Sequence, residues 1–153
     1  RRVLFRSLNW VNLMTETDRF TDNSSGIITD NKHKKYWLPK DSWGDLAQWR
    51  NYDEALAYVR LMNQVYAGGF SDWRLPTTKE AEEFYDESFD HMDWEDEIIH
   101  ICPLFVTKCS NYMWTSDKNE NQEACRINLR NKELEYIDLK TREHQATRLV
   151  RNV

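Results

Sequence analysis

The stretch Gly68-Gly69-Phe70-Ser71-Asp72-Trp73-Arg74-Leu75-Pro76-Thr77, with Glu80 three residues further on, decides how the rest of the chain is read. Glycine tolerates the left-handed backbone, so the pair Gly68-Gly69 closes a helix and turns the chain. Period-two alternation then puts Trp73 and Leu75 on one side of a short strand and Arg74 on the other. The two apolar residues are expected in the core. Arg74 is expected to pair, with Asp72 or with a carboxylate elsewhere, because a buried guanidinium needs a partner. Pro76 biases Leu75 away from helix, and Thr77 and Glu80 have capping-box spacing, so a helix is predicted from Thr77 to about residue 88.

Upstream of the glycines, Asn51 and Glu54 repeat the capping-box spacing. Ala55, Leu56, Val59, Met62 and Tyr66 follow at three- and four-residue intervals, which predicts a helix over 52–66 with one apolar stripe facing a core. Before it, Asp22-Asn23-Ser24-Ser25-Gly26 is a cluster of turn residues flanked by short apolar pieces, read as a hairpin-like opening segment. Downstream, 86–97 is acidic and reads as a solvated helix end or loop. Beyond Pro103 the pattern changes to strands over 112–115, 124–130 and 134–139, with a last one over 147–151. Helices early and strands late indicate an α+β fold in which two helices pack on small antiparallel sheets.

Composition narrows the function classes. The 153 residues suit one core, and the 40% hydrophobic and 31% charged fractions are an ordinary globular balance. A net charge of −5 argues against nucleic acid, which demands a basic surface. No apolar run of the length needed to cross a bilayer exists, so no membrane insertion is expected. Seven tryptophans imply either a core of large flat side chains or a surface that exposes some of them, with core the default. Cys102, Cys109 and Cys125 fit no metal or redox spacing; one disulfide with a free thiol and three reduced thiols both suit the count. The first seven residues, RRVLFRS, resemble a translated sequencing adaptor of the kind carried by metagenomic assemblies. They are set aside as an expected scar, which leaves 8–153 as one expected domain.

The 68–80 string resembles the GGYSDWRLPT-x-x-E signature of the Legionella collagen-like protein C-terminal domain family. Other pieces resemble that family in the same order: Arg19-Phe20-Thr21-Asp22, Thr29-Asp30-Asn31, Asp53-Glu54-Ala55, Tyr112-Met113-Trp114-Thr115-Ser116 and Val150-Arg151. The resemblance covers roughly residues 19–151. It implies a bacterial domain with a C-type-lectin-like fold, and such folds mostly serve recognition of sugars or proteins outside the cell. It therefore implies a non-catalytic module with a carbohydrate or protein ligand, at the cell surface or secreted. On the same reading Gly68, Gly69, Asp72, Trp73, Arg74, Leu75, Pro76, Thr77 and Glu80 form a structural motif. Two departures stand out: Val59 and Leu149 occupy positions where many members carry cysteine, which excludes a bridge there, and the entry segment reads Tyr36-Trp37-Leu38-Pro39 where the family often has a Gly-Leu-Met-Trp run.

His100 stands two residues before Cys102, but no third group orients such a pair as a relay. Cys109 and Cys125 could stand for the cysteine pair of formylglycine-generating enzymes, whose fold is related, yet the motifs that flank that pair are absent. The carboxylates of 86–97 could attract calcium, but they lack EF-hand spacing, so no metal and no cofactor is expected. For binding, Tyr112 and Trp114 beside Asp117, Lys118, Asn119 and Asn121, in a polar loop over 116–123, are the candidate ligand-binding residues. Flat aromatics next to amide and carboxylate groups suit both sugars and proteins. Strand alternation puts Tyr112 and Trp114 on one side, which predicts that both are exposed or both are core. The alternatives to a recognition module are a lectin-like-fold enzyme and a structural domain of a larger envelope or phage protein.

Overall fold

The opening hairpin forms where the turn residues place it. A computed structural model describes residues 19–153, so the expectations for 1–7 and for Trp10 lie outside the described residues. Strands β1 (Phe20–Asn23) and β2 (Ile27–Asp30) pair antiparallel around Gly26, whose φ of 83° needs glycine. β3 (Lys35–Trp37) continues the sheet, and the C-terminal strand β10 (Val150–Asn152) closes it in the order β1-β2-β3-β10. Phe20, Asp30, Lys35 and Asn152 lie in one row across the four strands.

Three short helices follow. α1 (Ser42–Leu46) was not foreseen; the Asp41 carboxylate caps it by accepting from the Gly44 N–H at 2.8 Å. α2 (Tyr52–Gln64) and α3 (Thr78–Phe84) begin at their predicted capping boxes, and in both the two reciprocal bonds are made. α2 ends before Tyr66, which sits in left-handed conformation with φ 52° and is 64% exposed, so it is not part of the stripe. Tyr58 takes that place, buried with Ala55 and Tyr52. α3 stops at Phe84, shorter than predicted, because Asp86 turns away. Its N–H donates to the His100 carbonyl at 3.0 Å and its carboxylate meets the Arg19 guanidinium at 2.9 Å.

The acidic segment is more ordered than a solvated run. β4 (His91–Met92) and β5 (Ile98–Ile99) form a small hairpin around Asp93, whose side chain is fully buried. Asp93 accepts from the backbone of Glu95 and Glu97 at 2.9 and 3.0 Å and from Arg130 at 2.7 Å. A buried carboxylate persists only with such compensation.

The second large sheet holds β6 (Tyr112–Lys118), β7 (Glu123–Asn128), β8 (Leu134–Asp138) and β9 (Gln145–Ala146), in the order β8-β7-β6-β9. Its pairings are antiparallel except β6 with β9, a two-residue parallel contact with no crossover helix. Of the strand predicted over 147–151 only the end forms, as β10 in the first sheet; β9, just before that span, serves the second, so the C-terminal segment joins the two. The middle of β6, from Met113 to Thr115, is buried on both faces. Met113 packs in a cluster with Trp37, Phe84, Phe105 and Ile127, and Trp114 packs in another with Tyr52, Ala55, Trp73 and Leu75. Each such large apolar side chain contributes about 1.5–3 kcal/mol on burial.

The 68–80 string is the joint between these parts. Trp73 and Leu75 are core, as predicted. The Asn63 side chain mimics a neighbouring strand: it accepts from the Trp73 N–H at 2.7 Å and donates to its carbonyl at 2.9 Å. The backbone of Arg74 pairs with Val150 in both directions at 3.0 Å, tying the string to β10. Arg74 chooses Glu80 as its carboxylate, while Asp72 pairs with Arg151 at 2.6 and 3.1 Å. The Arg74 side chain is 37% exposed, so the buried member of that pair is Glu80.

Candidate functional site

The residues expected to bind do not assemble into one site. Ser116 to Lys118 belong to β6, so the loop shrinks to 119–122. Tyr112 starts that strand and Lys118 ends it, a separation of about 20 Å at the usual rise per residue. Trp114 is 0% exposed; Tyr52 packs edge-on against it and its indole N–H donates to the Arg50 carbonyl at 2.8 Å. It offers no face to a ligand. Tyr112 is half-buried with the Arg126 guanidinium 3.6 Å above its ring, so the two aromatics share a side but not a depth. α2 covers the middle of the strand and leaves its first residue clear. Tyr112 borders a hollow of about 230 Å³ with Asn128, Glu133, Leu134 and Glu135.

The loop groups are largely satisfied within the loop. The Asn119 side chain accepts from the N–H of Asn121 and Glu123 at 2.9 and 3.2 Å and donates to the Glu123 carboxylate at 2.9 Å. Asp117 accepts from the Thr78 hydroxyl on α3. Lys118 lies 5.6 Å from the Tyr52 ring, and Asn121 is exposed. Asp117 and Asn119 therefore stabilise the hairpin and fix it to α3.

A different aromatic surface exists that the sequence pattern did not single out. Trp43 on α1, Trp49 after it, Trp94 in the β4–β5 turn and His144 before β9 form one cluster of rings, each at least partly exposed. Trp43 and Trp49 stack face to face with centroids 3.8 Å apart and planes 6° off parallel. Trp94 stands at 67° and 68° to that pair, at 6.5 and 5.0 Å. His144 lies 4.5 Å from Trp94 and 5.2 Å from Trp49. Backbone bonds anchor two of the four residues: the Trp94 backbone N–H donates to the Cys109 carbonyl at 2.9 Å, and the Ser110 hydroxyl donates to the carbonyl of His144. The members are far apart in sequence, so only the number of tryptophans hinted at it.

A hollow of about 590 Å³ lies elsewhere, between the first hairpin and α3. Arg19 pairs there with Asp30 at 3.2 Å and with Asp86, and the His33 Nδ1 lies 3.1 Å from Asp30. Its inner charges are thus neutralised by one another.

Nucleophile chemistry finds little support among the described residues. Cys102, Cys109 and Cys125 are all buried and unpaired. Burial raises the pKa of each thiol, that of Cys109 to about 12, so none is a ready thiolate. His100 turns its Nδ1 to the Phe89 carbonyl at 2.9 Å and to Asp90 at 3.3 Å. No group of three metal-ligating side chains occurs among the described residues.

Two four-stranded sheets, a two-stranded hairpin, three short helices and a signature string at their junction define a mixed α+β domain with an aromatic surface cluster. The chain belongs to the Lcl C-terminal domain family, a bacterial domain family whose model matches residues 26–151. No curated protein and no solved structure matches the chain. No helix among the described residues is long and apolar enough to cross a membrane.

Proposed function

We propose that this domain is a non-catalytic recognition module, built on a C-type-lectin-like fold, that binds a carbohydrate or protein partner at the cell surface or outside the cell. The cluster of Trp43, Trp49, Trp94 and His144 carries the reading. A soluble domain gains by burying indole rings, and three tryptophans from separate segments held together at the surface point to a ligand that covers them. Two further features favour the lectin-like fold: two capped helices flank small sheets, and the first and last described strands belong to one sheet. Buried thiols with raised pKa values speak against a cysteine enzyme, and the net charge of −5 against a nucleic-acid partner.

A glycan array probed with the intact domain, beside the same domain carrying Trp43, Trp49 and Trp94 all changed to Ala, tests this. Binding lost in the triple variant is expected. Binding that survives it would remove the cluster from the reading, and substrate turnover in place of retention would overturn the reading itself.

A further inference from the structure

We infer that the tryptophan cluster takes a neutral saccharide, one pyranose ring lying against the indoles with its hydroxyls turned to their edges. This rests on the recognition reading above and adds the chemistry of the ligand.

The indole N–H groups supply the first argument. Those of Trp73, Trp94 and Trp114 donate to Ala67 O, Asn111 Oδ1 and Arg50 O at 2.7, 3.0 and 2.8 Å. Those of Trp43 and Trp49 have no acceptor among the described residues and are not buried. The cluster therefore joins flat apolar faces to two donors that no described residue engages, and a pyranose offers the complement, an apolar C–H face rimmed by hydroxyl acceptors.

Charge supplies the second. A sulfated or carboxylated ligand needs cations that are free to meet it. Arg50 and Arg142 both pair with Glu54, Arg130 with Asp93 and Glu95, and Lys108 with Asp96. Of the cations near the cluster in sequence, Lys40 and Lys140 have no carboxylate partner among the described residues, and the others are paired. Exposed neighbours of the rings along the chain include the polar and acidic Asp45, Gln48, Glu95, Asp96 and Glu143.

Size supplies the third. The partly exposed rings alone fall well short of the roughly 800 Å² per partner of a stable protein interface. Lastly, His144 is held at φ 68°, a conformation disfavoured for a side chain, and its ring lies against Trp94. Strain of this kind clusters at ligand clamps.

Titration calorimetry of the intact domain with cellohexaose, chitohexaose and a galacto-oligosaccharide, beside heparin-derived and polygalacturonate oligomers, tests the inference. At least one neutral oligomer should bind saturably, with little change between low and high salt. Trp49→Ala should weaken it by about tenfold or more while the domain stays folded, its melting temperature falling far less than that of Trp114→Ala. Trp43→Ala repeats the test should Trp49→Ala fail to fold. Binding of acidic oligomers alone, falling steeply with salt, would overturn the neutral ligand and leave the recognition reading standing. Binding of no oligomer would overturn the saccharide and leave only a protein partner for that reading.

Discussion

Arg74 and Glu80 are joined by two parallel hydrogen bonds of 2.6 and 2.8 Å, which lock the signature strand to the first turn of α3. Burial alone would raise the Glu80 pKa. The bonds from Arg74, the Thr77 N–H and Lys35 outweigh it and hold the carboxyl at about 2, against 4.5 for a free glutamate. A carboxyl whose folded pKa is depressed contributes stability that is present above its unfolded pKa and lost as pH falls through the folded one. The melting temperature should therefore drop between about pH 4.5 and pH 2, and Glu80→Gln should flatten that part of the profile. At neutral pH the same variant should cost on the order of 2 kcal/mol, the usual scale for a charge-assisted bond. A pH profile identical to that of the unaltered domain would show that Glu80 is not the group responsible.

Gly68 and Gly69 both have positive φ, at 61° and 90°, but only one of them is crowded. A Cβ at Gly68 would come 2.9 Å from the Ile27 side chain, while one at Gly69 would meet nothing within 4 Å. Gly69→Ala should cost about 1 kcal/mol, from backbone strain alone. Gly68→Ala should cost more, by roughly another 1–3 kcal/mol for the overpacked contact. Equal costs in urea denaturation would show that Ile27 yields freely.

The tryptophans should divide into two classes on mutation. Trp73→Ala and Trp114→Ala empty core sites and should each cost on the order of 3–5 kcal/mol. Trp49→Ala removes a half-exposed ring and should cost well under half of that. Thermal denaturation of the three variants decides it. A Trp73→Ala loss below about 1 kcal/mol would take the signature strand out of the core.

The thiols should be silent in the folded state. At pH 8 a disulfide reagent such as Ellman's should react slowly with the native domain and then count three thiols after denaturation, matching three buried unpaired cysteines. Fewer than three on denaturation would reveal a disulfide.

What could be read from the sequence is what lies close along the chain. Both capping boxes, the Gly26 turn and the burial of Trp73 and Leu75 depend on residues within a few positions of each other, and each was predicted at its place. The errors fall where distant segments meet. Alternation placed Tyr112 and Trp114 on one side correctly, but it carries no information on where α2 covers the strand. Asp93 was read as solvated because Arg130, its partner 37 residues later, is invisible to a local pattern. The aromatic cluster spans residues 43 to 144, so no window of sequence contains it. The division of 145–152 between two sheets was hidden for the same reason.

The row of Phe20, Asp30, Lys35 and Asn152 has a mechanical consequence. β1 and β10 are the two outer strands of one sheet and run in opposite directions, so the chain enters and leaves at the same end of it. The two points lie three strand spacings apart, about 14 Å. Tension applied between them acts across the strands, along their hydrogen bonds, and would part these a rung at a time instead of shearing them together. The sheet that gathers both ends is thus a soft clasp under load, and β10 is the strand that lets go of the signature string when it opens.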